Sequence, residues 1–275
     1  MNWMSGLNSR LLSADGNAVV VAMDHGMEGV PKGFENPRET LLKVLEGEPD
    51  GILCTPNLAR TFAAEIASKP NVKVVARVDF LATSVIAGID GSEEIQLLIS
   101  DAEECMEIGA DAAATFLLYG RKNPAVVAEN IRYLSELSRE THRRNLPLVT
   151  EVPFWGKAVP ENESERAALL EHACRIAWEV GSDIIKAPYL EDRDAFRRIT
   201  SNLPAPILVL GGVKTDKVEE AFTLVAKAME DGARGVFFGR NIWQHEYPDR
   251  MVTAMKAIIH EGATVDEATR IVDGR

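Results

Sequence analysis

A lysine closes an apolar run at Asp183-Ile184-Ile185-Lys186-Ala187-Pro188-Tyr189, about two-thirds of the way along the chain. Burying an ammonium costs several kcal/mol unless it is paired or gives up its proton. A desolvated lysine is also the usual nucleophile for making a Schiff base with a carbonyl compound. Strand alternation puts Ser182, Ile184 and Lys186 on one face, so the amine either points into a site or snorkels out at the strand's end.

Other polar residues stand at equivalent places, just where short apolar runs stop. Asp24 and His25 follow Val20-Val21-Ala22-Met23, Arg77 and Asp79 follow Val74-Val75-Ala76, and Glu151 follows Leu148-Val149-Thr150. A carboxylate at Asp24 is suited to hold the lysine's charge and to move protons around a carbinolamine, or else to cap the next turn. Glu151 reads as a general acid/base or as a structural partner of Arg77, and Arg77 as a group contacting substrate. Alternation turns His25 the opposite way from Asp24, so it reads as a supporting or substrate-side group rather than the main base. Two turns, Leu210-Gly211-Gly212-Val213 and Phe238-Gly239-Arg240-Asn241, have the composition of a phosphate cradle. Their glycines permit close backbone approach and Arg240 adds a charged donor. Tyr119, Phe154, Trp155 and Tyr189 fall nearby and are assigned to loop packing.

The elements that must position these residues alternate in type. Candidate strands are Ala18–Met23, Gly51–Cys54, Lys73–Val78, Ala112–Leu118, Leu146–Val152, Asp183–Ala187, Ile207–Leu210 and Gly235–Phe238. Helical patterns fall at Glu39–Leu45, Leu58–Ala67, Glu93–Ile108, Pro124–Arg144, Glu163–Val180, Glu191–Thr200, Asp216–Asp231 and Asp249–His260. Eight strands, each followed by a helix, predict an α/β chain folded as one (β/α)8 barrel over residues 1–275. In such a barrel the C-terminal strand ends share one face, where active sites lie. Gly109, Gly181 and Gly232 each sit where a helix must stop and turn into a strand. The connection Asp79 to Ser92 has no clear pattern.

Composition narrows the function classes. A net charge of −12 argues against nucleic-acid or anionic-membrane binding. Cys54, Cys105 and Cys174 show no metal-ligand spacing, and their odd number suits a reducing cytoplasm. Met1–Arg10 lacks the apolar run of a signal peptide, and no stretch approaches membrane-spanning length. His142, His172, His245 and His260 form no metal set, so a metal-independent reaction is expected.

Taken together, Ala22-Met23-Asp24-His25-Gly26, Asp183-Ile184-Ile185-Lys186, Gly211-Gly212 and Gly239-Arg240-Asn241-Ile242-Trp243-Gln244 resemble the archaeal-type class I aldolase family. That family includes fructose-bisphosphate aldolases, aminodideoxyheptulosonate synthases and the autoinducer-2 phosphate thiolase, and the resemblance runs from about Val19 to His260. It implies Lys186 as Schiff-base lysine, Asp24 as acid/base or charge partner, and Gly211, Gly212, Gly239 and Arg240 as phosphate ligands. It further implies a phosphorylated ketose such as fructose 1,6-bisphosphate, no cofactor beyond the covalent lysine imine, and a homo-oligomer. Two other readings stay open: a transaldol-type synthase or acyl-transferring thiolase, and a non-catalytic phosphosugar-binding protein. The family's Tyr-Pro-Arg-Gly motif is replaced by Glu151-Val152-Pro153-Phe154-Trp155-Gly156. With no tyrosine there, proton transfer is expected to pass to Glu151 or to a water it positions.

Overall fold

The computed structural model describes residues 3–82 and 95–274. Its strands are β1 (Ala18–Ala22), β2 (Gly51–Cys54), β3 (Lys73–Arg77), β4 (Asp79–Ala82), β5 (Ile95–Leu98), β6 (Ala112–Phe116), β7 (Leu148–Glu151), β8 (Ile184–Ala187), β9 (Ile207–Leu210) and β10 (Gly235–Phe238). Eight of them close a parallel barrel in the order β1-β2-β3-β6-β7-β8-β9-β10, with β10 pairing back onto β1. The fold is the (β/α)8 barrel that the strand count predicts.

Period-two alternation sorts the apolar residues into two cores. Ala18, Val20 and Ala22 of β1 point into the barrel with Val75, Ala114, Val149, Ile184, Leu208 and Phe237, and Leu11 packs into the same cluster. Their neighbours Val19, Val21, Ala76, Ile185, Val209 and Phe238 point outward against the helices. Small alanines on β1 and β6 leave room for Phe237, so the interior is filled by side chains.

The helices around the barrel are set by caps in the sequence. Asn36, Thr55, Asp101, Asn123, Asn162 and Asp192 each accept a backbone N–H bond at the start of α2 (Pro37–Glu46), α3 (Pro56–Thr61), α5 (Ala102–Glu107), α6 (Pro124–Arg143), α7 (Glu163–Val180) and α8 (Arg193–Asn202). Gly109, Gly181 and Gly232 have positive φ, as their position between helix and strand predicts. α9 (Val218–Glu230), a short α10 (Arg240–Trp243), α11 (Pro248–Glu261) and α12 (Val265–Asp273) complete the outer ring. The chain opens with α1 (Trp3–Asn8).

Three expectations are corrected. The stretch from Leu58 to Ala67 divides at Phe62 into α3 and α4 (Ala63–Ala67). The helix expected over Glu93–Ile108 is instead strand β5 followed by the six-residue α5. β5 pairs antiparallel with β4, so Asp79–Ala82 is a strand within the connection that had no clear pattern. Residues 83–94, the rest of that connection and the first two residues of the expected helix, lie outside the described residues. The hairpin is tied to the barrel by Gln96 Nε2, which donates to Asp79 Oδ2 at 2.6 Å and to the Phe116 carbonyl at 3.3 Å.

Candidate active site

Lys186 is the next-to-last residue of β8 and lines the cavity at the C-terminal mouth of the barrel, 6% exposed. Register places it level with Glu151 on β7 and Leu208 on β9. Lys186 Nζ donates to Glu151 Oε2 at 2.8 Å and stands 5.6 Å from the centroid of the Phe237 ring. The cost of burying the ammonium is offset by a charge-assisted hydrogen bond, so the amine has not escaped to solvent.

Glu151 Oε2 also accepts from Arg77 Nη2 at 2.5 Å. Arg77 is fully buried, donates through Nε to Asp24 Oδ2 at 2.9 Å, and lays its guanidinium over the Phe116 ring at 3.9 Å. A continuous chain of charge therefore runs Lys186, Glu151, Arg77, Asp24. The partner holding the lysine is Glu151 rather than Asp24, because β7 is the strand next to β8 while β1 lies across the barrel. Arg77, expected at the substrate, is sealed beneath the floor and does not line the cavity.

Burial raises the Asp24 carboxyl pKa, but the charges of Arg77, Lys186 and His25 outweigh it and hold the group at about 2. Asp24 is thus an anion at neutral pH. That suits the charge-partner role expected for it. Burial works against the Arg77 cation as well, yet Asp24, Glu151 and Asp79 together push its pKa up. Asp79 is pushed up by burial despite Arg77 nearby. Its Oδ2 accepts from Thr115 Oγ1, Phe116 N and Gln96 Nε2, while its Oδ1 has no hydrogen bond.

The opposite rim is built from backbone. Arg240 Nη2 donates to the Gly212 carbonyl at 2.8 Å, and Asn241 Nδ2 donates to the carbonyls of Gly211 and Val213 at 3.1 and 3.2 Å. These bonds clamp the Gly211-Gly212 turn to the Gly239-Arg240 turn. A Cβ at Gly239 would come within 2.7 Å of the Ala22 carbonyl and of His25 Cε1, so only glycine lets β10 end this close to β1. His25 departs from strand alternation because the backbone turns into a short 3-10 segment, Asp24–Glu28. It lines the same cavity as Lys186 and packs edge-on against Trp243 at 5.4 Å. Burial lowers its pKa, with Asp24 and Glu28 opposing the shift.

Asp24, His25, Glu151, Lys186, Gly211, Gly212, Gly239 and Arg240 line one cavity of about 240 Å³. Also in its wall are Phe116, Phe237, Phe154 and Trp155, which were expected to pack loops or were not singled out. Alternation carried the signal for two of them: Phe116 follows the inward Ala112 and Ala114, and Phe237 is inward beside Lys186. Among the described residues, no group of three or more His, Cys, Asp or Glu side chains is placed to hold a metal ion. Among the same residues, no helix is long and apolar enough to cross a membrane.

Residues 18–245 match the DeoC/LacD family aldolase model. The chain is 33% identical to an uncharacterized aldolase of Saccharolobus solfataricus, over 94% of each chain. It is 28% identical to the 2-amino-3,7-dideoxy-D-threo-hept-6-ulosonate synthase of Halobacterium salinarum, over 96% of this chain and 95% of that one. Identity to the 3-hydroxy-5-phosphonooxypentane-2,4-dione thiolase of Escherichia coli is 30%, over 98% of this chain and 86% of that one. A solved Schiff-base-forming fructose-1,6-bisphosphate aldolase superposes with a TM-score of 0.79 at 25% identity, covering 94% of this chain and 100% of that one. With its barrel, its buried lysine at the strand ends and a family match over most of its length, the chain belongs to the DeoC/LacD aldolase family.

Proposed function

We propose that this protein is a class I aldolase that breaks or forms a carbon–carbon bond in a phosphorylated ketose or related keto compound. The observation that carries the reading is the cavity-facing Lys186 amine with a carboxylate, Glu151, at 2.8 Å. Attack requires an unprotonated amine, and Glu151 Oε2 is placed to take its proton. The nitrogen then bonds to the carbonyl carbon, and loss of water gives an iminium. Deprotonation of the hydroxyl two bonds away sends the carbon–carbon bonding pair into the iminium, leaving an enamine and releasing an aldehyde. Protonation of the enamine carbon and hydrolysis return the free lysine and the second product. Glu151 shuttles these protons in place of the missing tyrosine, while the ionised Asp24 balances positive charge in the site. Gly211, Gly212, Gly239 and Arg240 anchor the phosphate, and His25 borders that end. We read the chain as one domain that works as a homo-oligomer in the cytoplasm, without a metal or added cofactor.

A second reading keeps the lysine chemistry but passes the fragment to an acceptor, as a transaldol-type synthase or an acyl-transferring thiolase. The synthase and thiolase relatives favour it. Product analysis over a panel of ketose phosphates tests both. Triose phosphate released without any acceptor supports the aldolase. Turnover only on addition of an acceptor aldehyde or coenzyme A supports the transferase, and ligand binding without turnover by either route contradicts both.

A further inference from the structure

Arg77 is fully buried and lies outside the cavity wall, so it is not placed to touch substrate. Its guanidinium is nevertheless held along two edges and one face. Nε donates to Asp24 Oδ2 at 2.9 Å, Nη2 donates to Glu151 Oε2 at 2.5 Å, and Nη1 faces Asp79 Oδ1 at 3.6 Å. The Phe116 ring covers the guanidinium at 3.9 Å. Asp79 is itself fixed by Thr115 Oγ1, Phe116 N and Gln96 Nε2, at 2.8, 2.9 and 2.6 Å. A planar fork gripped in this way is confined to one orientation.

What the fork fixes is the orientation of Glu151. Both hydrogen bonds of that carboxylate fall on one oxygen: Oε2 accepts from Arg77 Nη2 and, at 2.8 Å, from Lys186 Nζ. Among the described residues nothing donates to Oε1, and Glu151 lines the cavity. The terminal torsion of a glutamate is broad and two-fold, so a carboxylate bonded to the lysine alone could exchange its two oxygens. Donors from two strands, β3 and β8, converging on Oε2 remove that freedom.

Resting on the aldolase reading with Glu151 as proton carrier, we propose that Arg77 is a positioning residue, which holds Glu151 Oε2 on the Lys186 amine so that Oε1 meets the substrate. Oε2 takes the amine proton during attack and returns it to the carbinolamine hydroxyl, which leaves as water. Oε1 then takes a proton from the carbon beside the iminium. The C–H bonding pair becomes the enamine C=C bond, and the C=N π pair settles on nitrogen. Return of a proton from Oε1 to that carbon reverses the step.

The test follows deuterium uptake from heavy water at the carbon beside the carbonyl of dihydroxyacetone phosphate, divided by the imine trapped with borohydride in the same preparation. That quotient does not depend on how much of the protein is folded, so a purely structural role for Arg77 leaves it unchanged. Arg77→Lys keeps a positive charge without the fork and is expected to lower the quotient about 10²-fold, within the range for a general base that loses its placement. Glu151→Asp has a carboxylate too short to reach both cations and is expected to give a similar loss, which decides the matter should Arg77→Lys not fold. Because Arg77 acts through Glu151, Arg77→Lys combined with Glu151→Gln should exchange no more slowly than Glu151→Gln alone.

A quotient like the parent's in Arg77→Lys or in Glu151→Asp, or losses that multiply in the double variant, overturns the proposal. The trapping arm separates the failures. If the parent traps the imine and Arg77→Lys exchanges as the parent does, only the positioning role is wrong; if no imine traps in the parent, the aldolase reading fails with it.

Discussion

The two ends of the barrel each gather a cluster of charges, half-buried at one end and buried at the other, and they treat them in opposite ways. At the N-terminal end His260 lies between two carboxylates, with Nδ1 2.7 Å from Asp15 Oδ2 and Nε2 2.8 Å from Asp50 Oδ2. Asp50 Oδ2 also accepts from Val19 N at 2.6 Å, and its Oδ1 accepts from Ser13 Oγ at 3.0 Å. The cluster latches α11 to the loops entering β1 and β2, and both of its imidazole nitrogens have a partner. At the C-terminal end, Lys186, Glu151 and Asp24 line a cavity with Arg77 buried behind them. Arg77 Nη1, Asp79 Oδ1 and His25 Nδ1 are buried there without hydrogen bonds, Arg77 Nη1 facing Asp79 Oδ1 and His25 Nδ1 facing Asp24 Oδ1 only at 3.6 Å. Unsatisfied buried polar atoms cost stability. The lesson is that similar charges serve as a latch where no cavity opens on them and as candidate chemistry where one does.

The comparison can be broken at several points. The largest effect is expected from Lys186→Met, which should lower turnover by about 10³-fold or more. Glu151 keeps Arg77 as partner, so the same variant should unfold at no lower denaturant concentration than the parent. A variant that retains activity would remove the functional distinction between the two ends. Next comes Arg77→Met, which leaves Asp24 and Glu151 without their shared cation. Loss of one buried partner predicts destabilisation of about 3–5 kcal/mol by urea unfolding. His260→Gln should cost about 1–3 kcal/mol and leave turnover unchanged, since the latch is remote from the cavity. If His260→Gln proved the more damaging to activity, the assignment of the two ends would be reversed.

The latch also predicts a pH signature. The hydrogen bond to Asp50 raises the His260 pKa from its ordinary 6.5 to about 9, burial opposing and Asp15 assisting. The folded protein holds this proton more tightly than the unfolded chain does. Its stabilising contribution is therefore complete below about pH 6.5 and is lost as pH rises through about 9. Unfolding free energy measured across that interval should fall in the parent, and the His260→Gln variant should lack this component of the decline.

Much of this architecture was legible because alternation and caps are local. Gly51–Cys54, Ile207–Leu210, Gly235–Phe238 and Glu163–Val180 match their expected bounds residue for residue. The inward set Ile184 and Lys186 also follows from period two. The β4–β5 hairpin was not legible, because Ile95–Leu98 is a strand only by pairing with Asp79–Ala82 across an intervening segment. His25 misled for a different reason: alternation stops where the 3-10 turn begins at Asp24. The choice of Glu151 over Asp24 as the lysine's partner was available in principle, since successive strands are neighbours in this barrel. The Arg77–Glu151 pair was one of the two readings of Glu151 and is present. The complete burial of Arg77 was not legible, because it depends on Asp24, Glu151 and Phe116 converging from three other strand ends.

The central claim is that the Lys186 amine forms a covalent imine with substrate. Borohydride reduction in the presence of dihydroxyacetone phosphate, followed by peptide mass mapping, reads it directly. The account predicts one reduced adduct, on the peptide containing Lys186, and none in Lys186→Met. An adduct mapped to another lysine, or the same adduct in Lys186→Met, would contradict it.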